Sequence, residues 1–183
     1  SVSTTVTAIV GESPTKNTNQ TIIKYKESTK DSSEIIEWIQ TNKNGINHIS
    51  ANHPSFSETT IGTDSTSEYY YSKPEDKTEI SVNVINNTAN ISATINSKKI
   101  ESVVPLNNTP FVYPPGFYVS DFVKSDKRKL FIWVINKSEA TLSQMIFTKI
   151  GKETININGK DVDCIKTEMK PSGIGGMFWK AYY

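Results

Sequence analysis

The tightest constraint on this sequence is a period of two that is broken repeatedly at asparagine pairs. In Ile80-Ser81-Val82-Asn83-Val84 every second residue is apolar, which in an extended backbone collects Ile80, Val82 and Val84 on one face. Asn90-Ile91-Ser92-Ala93-Thr94-Ile95 repeats the pattern with Ile91, Ala93 and Ile95. Between them stands Asn86-Asn87, and asparagine takes positive φ at little cost, so a hairpin is predicted. Thr154-Ile155-Asn156-Ile157 alternates again and runs into Asn158-Gly159. That pair is a type I′ turn signal and predicts a partner strand from Lys160.

A second Asn-Gly pair, Asn44-Gly45, separates residues 34–41 from residues 46–51. The first of these segments reads two ways. Ile35, Ile36 and Ile39 share a helical face, whereas Ile36, Trp38 and Gln40 share a strand face. The turn and the following Ile46-Asn47-His48-Ile49 require a partner, which decides for strand. Lys73-Pro74-Glu75-Asp76 predicts a further hairpin between residues 68–71 and 78–85, because proline presets φ for a type I turn. One helix is expected after Pro114-Pro115-Gly116, over residues 117–124, a turn or two long. Gly173, Gly175 and Gly176 mark a loop before residues 177–183.

Two segments depart from simple alternation. Residues 130–135 (Leu-Phe-Ile-Trp-Val-Ile) are apolar on both faces. The strand after Lys160 changes face, with Val162 and Cys164 giving way to Ile165 and Met169. It is expected either to be buried on both sides at its centre or to bulge near Cys164-Ile165. Together these signals predict an all-β fold, an antiparallel meander forming a curved sheet, as a half-open or closed barrel with at most one short helix. Residues 1–20 have one strand-like stretch, Val6 to Val10, and are expected as an edge strand or unstructured lead. Residues 21–183 are expected as a single antiparallel β domain.

Composition narrows the function classes. With 183 residues the chain can bury a sizeable core without disulfides, and its one cysteine, Cys164, can form no internal bridge. Twenty Lys and Arg against nineteen Asp and Glu give a net charge of +1, with one local basic run at Lys124, Lys127, Arg128 and Lys129. So balanced a surface, with Arg128 as its single arginine, argues against nucleic-acid binding. The longest apolar run, residues 130–135, is far short of the ~20 residues of a membrane-spanning helix. Abundant Ser, Thr and Asn fit a secreted or surface protein, and the opening Ser1-Val2-Ser3-Thr4-Thr5 suits a mature chain behind a removed signal or anchor. Sequons for glycosylation occur at Asn19, Asn86, Asn90, Asn107 and Asn136. Chance alone would supply about three or four in so Asn- and Ser/Thr-rich a chain.

Tests for chemistry return little. The two histidines, His48 and His53, have odd spacing and fall on opposite strand faces, and Pro54 ends the strand by then. A metal site would need a third ligand that nothing nominates. Cys164 lacks a thiol-enzyme context and reads as a small buried hydrophobe. Asn156, Asn158-Gly159, Asp161 and Asp163 fail the EF-hand pattern, since Thr154 and Ile165 hold its first and last ligand positions. Gly173-Ile174-Gly175-Gly176 lacks the Lys-Ser/Thr of a phosphate loop, and no G-x-S-x-G elbow occurs. Carboxylate pairs such as Glu34 with Glu37, or Asp161 with Asp163, read as solvated. Aromatics remain: Tyr69-Tyr70-Tyr71, Trp133, Phe178-Trp179 and Tyr182-Tyr183. They serve as core and strand-face packing, or line an apolar cavity or sugar platform. A two-faced apolar strand suits a helix outside and a ligand inside a half-open barrel.

The C-terminal half resembles the domain of unknown function 3108 family, uncharacterised prokaryotic envelope proteins. The similar stretches are Lys129-Leu130-Phe131-Ile132-Trp133, then Asn158-Gly159-Lys160-Asp161-Val162 leading into Cys164, then Gly173 through Met177-Phe178-Trp179-Lys180-Ala181-Tyr182-Tyr183. The resemblance implies an antiparallel β architecture and export to the envelope. It carries no catalytic residues to transfer. The family pattern continues into a further aromatic strand, whereas this sequence stops at Tyr183, so a short final edge strand or a shortened chain is expected.

The functional expectation is therefore an extracytoplasmic, non-enzymatic domain that binds an apolar or lipid-like ligand through Phe131, Trp133, Phe178, Trp179 and Tyr182, without cofactor. The alternatives are a structural or adhesive surface module, and a hydrolase that would need inward Asp or Glu beside His48. Exposed edge strands allow pairing between chains, and no residue specifies an oligomeric state.

Overall fold

The computed structural model describes residues 4–10, 20–28, 33–157, 159–173 and 181–182. Seven consecutive antiparallel strands form the body of the fold: β3 (Ser33–Lys43), β4 (Ile46–Asn52), β5 (Ser57–Gly62), β6 (Thr66–Lys73), β7 (Thr78–Ile85), β8 (Thr88–Ile95) and β9 (Lys98–Pro105). A second antiparallel set comprises β10 (Lys129–Asn136), β11 (Thr141–Ile157) and β12 (Lys160–Pro171). Three strands link the two sets: β1 (Thr4–Val10), β2 (Gln20–Ser28) and the two-residue β13 (Ala181–Tyr182). The hydrogen-bonded order runs β10-β11-β12-β13-β1-β2-β3 and on to β9. Every pairing is antiparallel except β1 with β13.

The asparagine pairs set the hairpins. Asn44-Gly45 (φ 54° and 79°) and Asn86-Asn87 (φ 49° and 61°) hold both loop residues at positive φ, the type I′ geometry whose twist matches that of paired strands. Asn96-Ser97 (φ 50° and 67°) forms a third such turn, leading into β9, which the alternation had not disclosed. Between β11 and β12 Gly159 has φ 80°, and Asn158 lies outside the described residues. The Gly45 amide donates to Asn42 Oδ1 (3.2 Å) and the Gly159 amide to Asn156 Oδ1 (3.0 Å), so an asparagine two residues before each Asn-Gly pair closes the turn. Pro74–Asp76 is a single 3₁₀ turn ended by Lys77 at φ 48°.

Several expectations are corrected. Val6–Val10 belongs to β1, which lies between β13 and β2 and so is no edge strand, because chain remote in sequence returns to pair with it. β2 and β5 are strands beyond those expected from alternation. The helix, α1 (Pro115–Lys124), is ten residues long, not one or two turns. It starts at Pro115, whose fixed φ suits a first helical position. No bulge falls at Cys164-Ile165; the register irregularity lies in the partner strand, between Lys149 and Gly151 of β11, opposite Thr167 and Lys166. In β12 Thr167 and Met169 are buried on one face, while Val162 and Ile165 are exposed and Cys164 is half-buried, not a core residue. Side chains bond across this outer arm, Asn156 Nδ2 to Asp161 Oδ1 (2.8 Å) and Thr154 Oγ1 to Asp163 Oδ1 (2.7 Å).

The sheet wraps round its own core. Ile135 on β10 and Ile80, Val82 and Ile91 on β7 and β8 lie near opposite ends of the strand order yet share one buried cluster, which no flat sheet allows. Among the described residues no ladder joins β9 to β10, so the barrel is not closed. The β9–α1 connection laces the gap instead. Leu106 N donates to Asn87 O (2.9 Å), Trp133 N to Pro110 O (2.8 Å), Val112 N to Trp133 O (3.0 Å), and Thr66 N of β6 to Phe111 O (2.8 Å). Strand β10 is covered on both faces around Ile132 and Ile135, while Phe131 near its start is exposed. Ile132 packs with Val119 and Phe122 of α1 and Phe147 of β11, while Ile135 and Trp133 pack with Phe111 and the β6–β8 side chains.

Gly62 marks the sharpest local fit. A Cβ there would overlap the Ser65 carbonyl, whereas one at Gly151 meets nothing within 4 Å. Gly62→Ala is expected to cost about 1–3 kcal/mol in urea unfolding through overpacking. Gly151→Ala is expected to gain about 0.5–1 kcal/mol by restricting the unfolded chain in a strand interior.

Candidate functional site

Register decides which side chains face inward. Trp38 pairs with Ala51, Ala51 with Glu58, Glu58 with Tyr71, Tyr71 with Ile80 and Ile80 with Ala93, one continuous row across β3 to β8. The adjoining row contains Ile49, Thr60, Tyr69, Val82 and Ile91. Apart from Gln40 at the β3 end of the second row, both rows are otherwise apolar or aromatic, so β5 inserts a carboxylate and a hydroxyl into the core face. Glu58 is 1% exposed.

Three groups surround that carboxylate. Tyr69 OH donates to Oε1 at 2.7 Å, Lys137 Nζ lies 3.3 Å from each carboxylate oxygen, and the Tyr113 hydroxyl donates as well. Lys137 comes from the four-residue turn between Asn136 and Thr141, and its side chain is 34% exposed. Its ammonium sits among three rings, 4.6 Å from the centroid of Tyr71, 5.4 Å from Tyr113 and 5.6 Å from Phe56. All are within cation–π range. His53 stacks on Phe56 at 4.5 Å, and Tyr113 meets Tyr69 edge-on at 5.0 Å. The result is an aromatic box with an ion pair in it, its carboxylate at the closed end and its ammonium toward solvent.

The walls are fixed by backbone as well as by packing. Thr66, 1% exposed on β6, accepts from Tyr113 N (2.9 Å) and shares a hydrogen bond with the Tyr118 hydroxyl of α1 (3.2 Å). One buried threonine therefore ties the β9–α1 connection to the strand that carries Tyr69 and Tyr71. In the same row as Tyr69, the Thr60 hydroxyl is buried without a hydrogen-bond partner.

Burial raises the Glu58 carboxyl above its ordinary value of 4.5, against the opposing pull of Lys137 and the hydrogen bonds from Tyr69, Lys137 and Tyr113. Burial and then the neighbouring Glu58 charge push the Tyr69 phenol well above its ordinary value, so it remains a donor. Tyr71 is raised for the same two reasons. Chemically the box offers one carboxylate, one ammonium and aromatic walls, a set suited to holding a charged group beside apolar surface.

The residues expected from sequence are not gathered in one place. Trp133 is half-buried against the β6–β8 core and its indole N–H donates to Leu106 O (3.1 Å). Phe131, on the same face of β10, is 45% exposed. Phe178 and Trp179 lie outside the described residues, and Tyr182 is placed by its backbone in β13, opposite Glu168 and Thr5. His48 is exposed on the outer face of β4, away from Glu58, and His53 follows the end of that strand. Of the sequons, Asn86 and Asn107 are exposed in turns, and Asn90 is exposed with its amide donating to Asn83 O (3.3 Å). Asn136 donates to Glu139 and accepts from Ser138 within the turn that carries Lys137, while Asn19 lies outside the described residues. Glu58, Lys137, Phe56 and Tyr113 escaped sequence reasoning. The available signal was indirect: with Ile49 and Ala51 inward on β4 and Tyr69 and Tyr71 inward on β6, a strand between them must turn residues 58 and 60 inward as well.

Comparison with protein-family models, curated proteins and solved structures finds no match for this chain. Among the described residues no helix is long and apolar enough to cross a membrane.

Two measurements probe the box. Because the native Glu58 carboxyl binds its proton more tightly than the unfolded one, the native state holds more protons as pH rises past about 4.5, and stability falls through that window. The stability of wild type minus that of Glu58→Gln is therefore expected to decline from pH 4.5 up to the raised native value and then level off. With Lys137→Met the decline is expected to steepen, since the lysine opposes the rise. Separately, Thr60→Val is expected to raise stability by about 1 kcal/mol in urea unfolding, because it removes a buried hydroxyl with no partner.

Proposed function

We propose that this is an extracytoplasmic, non-enzymatic β domain that binds an apolar or amphipathic ligand such as a lipid, with the aromatic box as the place where the ligand's charged end is held. The observation that carries the reading is the Glu58–Lys137 pair enclosed by Phe56, Tyr71 and Tyr113 with the lysine one-third open to solvent. A buried ion pair adds little net stability compared with apolar residues of the same volume. Its presence in an otherwise apolar face therefore favours a recognition role over a purely structural one. Exposed Phe131 and half-buried Trp133 stand earlier on β10, the strand that ends at the Lys137 turn, and offer further apolar surface along it. The extracytoplasmic placement is supported by the Ser/Thr/Asn-rich composition and by the resemblance of the C-terminal half to the domain of unknown function 3108 family.

One observation favours a surface module as the second reading. The sequon asparagines Asn86 and Asn107 lie in exposed turns that touch, Asn108 N donating to Asn87 Oδ1 at 3.1 Å, so two glycans would share one end of the sheet.

The test is native mass spectrometry of protein purified from the envelope of its host, followed by organic extraction. A stoichiometric amphiphile is expected, with occupancy reduced at least about tenfold in Tyr71→Leu, as loss of a favourable cation–π and packing contact predicts. A bare polypeptide mass would refute ligand carriage. Added hexose on Asn86 or Asn107 without an amphiphile would establish the surface-module reading instead.

A further inference from the structure

We infer that the box is an alkylammonium site and that Lys137 is its built-in occupant, a tethered plug that a ligand amine replaces. This deepens the reading above by naming the charged group of the ligand, and it rests on that reading for the box being a ligand site.

The argument starts with the carboxylate. Glu58 is fixed from three sides that do not involve Lys137: its strand register, the Tyr69 hydroxyl at 2.7 Å and the Tyr113 hydroxyl. The box walls come from the segment before β5, from β6 and from the connection held by Thr66. None of them belongs to the turn that supplies the lysine. The receptor is thus assembled without its occupant, and the occupant enters from the solvent side on a loop whose hydrogen bonds are local, Asn136 with Ser138 and Glu139.

The geometry also selects the kind of cation. One nitrogen stands 3.3 Å from both carboxylate oxygens and within 4.6 to 5.6 Å of three ring centroids. That is the environment of a compact point charge. A guanidinium would seek two parallel hydrogen bonds to the carboxylate and would stack on one ring face. An anion would meet the Glu58 carboxylate and three ring faces, all repulsive to it. A primary ammonium on an alkyl stem matches on every side, whether it belongs to an amphiphile's headgroup or to a lysine of a partner protein. Exchange requires no chemistry, only that the lysine swing into solvent, where its charge is well hydrated.

Chemical rescue tests this. Lys137→Ala leaves Glu58 without its counter-charge and is expected to lower the unfolding temperature at neutral pH. Propylammonium chloride is expected to restore most of that loss with saturation, while sodium chloride at equal ionic strength restores little. In the double variant Lys137→Ala/Glu58→Gln the apparent affinity for propylammonium is expected to weaken at least about tenfold. If Lys137→Ala fails to fold, its refolding yield from urea in propylammonium against sodium chloride is the readout, with the same expectation. Absence of a saturable propylammonium effect in either assay would overturn the inference. Phosphoethanolamine headgroups in vesicles and an N-acetyl-lysine amide, used as competitors of propylammonium, separate the two sources of the amine. Rescue without any amphiphile in the mass spectrum would keep the ammonium site and discard the amphiphile. An amphiphile bound equally by wild type and both variants, without rescue, would do the reverse.

Discussion

Two-residue loops with both residues at positive φ leave a meander almost no freedom of register, and the rest of this fold follows from that restriction. At Asn44-Gly45, Asn86-Asn87 and Asn96-Ser97 the loop cannot lengthen or slip without losing the type I′ geometry that twists with its strands. A slip of one residue would turn every inward side chain outward. These turns fix the two ends of the rows, Trp38 with Ala51 and Ile80 with Ala93, and the ladders of β4 to β7, joined by longer loops, carry the rows between them. Each strand contributes its neighbour's partner, and a residue as ill-suited to a core as Glu58 is held inward because its neighbours on both sides are.

A sheet with this much inward apolar surface must cover it. The chain does so with its own middle segment. The stretch after β9 passes through the concave side, where Leu106, Phe111 and Val112 are buried, and α1 closes over the far face of β10. This explains why residues 130–135 are apolar on both sides: one face meets the helix, the other the β6–β8 rows. Among the described residues the wrapped sheet stays open in its hydrogen bonding, with the lacing segment between β9 and β10. The outer arm of β11 and β12 reaches past this core, so Ile150, Ile155, Val162 and Ile165 remain exposed.

Placing a carboxylate within that interior has a cost that the surrounding groups offset in different ways. Tyr69 and Tyr113 supply hydrogen bonds, Lys137 supplies charge, and the rings supply polarisable walls for the ammonium. The balance still leaves the carboxyl with a raised proton affinity. A group in that condition responds to the ammonium of Lys137 beside it, and this links the stability of the domain to that pair. Glu153 with Lys166 and Asp76 with Lys73, by contrast, form pairs at the surface.

Local sequence determined a good deal. Alternation and the Asn-Gly and Asn-Asn pairs announced β3, β4, β7, β8 and their turns, because backbone φ preference and side-chain period act within a few residues. The two-faced burial of β10 was likewise legible in its six apolar residues. Strands with mixed patterns, β2, β5 and β9, were not, nor was the interior place of β1, whose partner β13 lies at the other end of the chain. The candidate site was illegible for the same reason. Phe56, Glu58, Tyr71, Tyr113 and Lys137 carry no spacing that relates them, and Glu58 reads locally as one more solvated acid. Only the tertiary structure brings them within a few ångströms, because which face of β5 is buried depends on the strands paired to it, and which lysine meets it depends on how the sheet wraps.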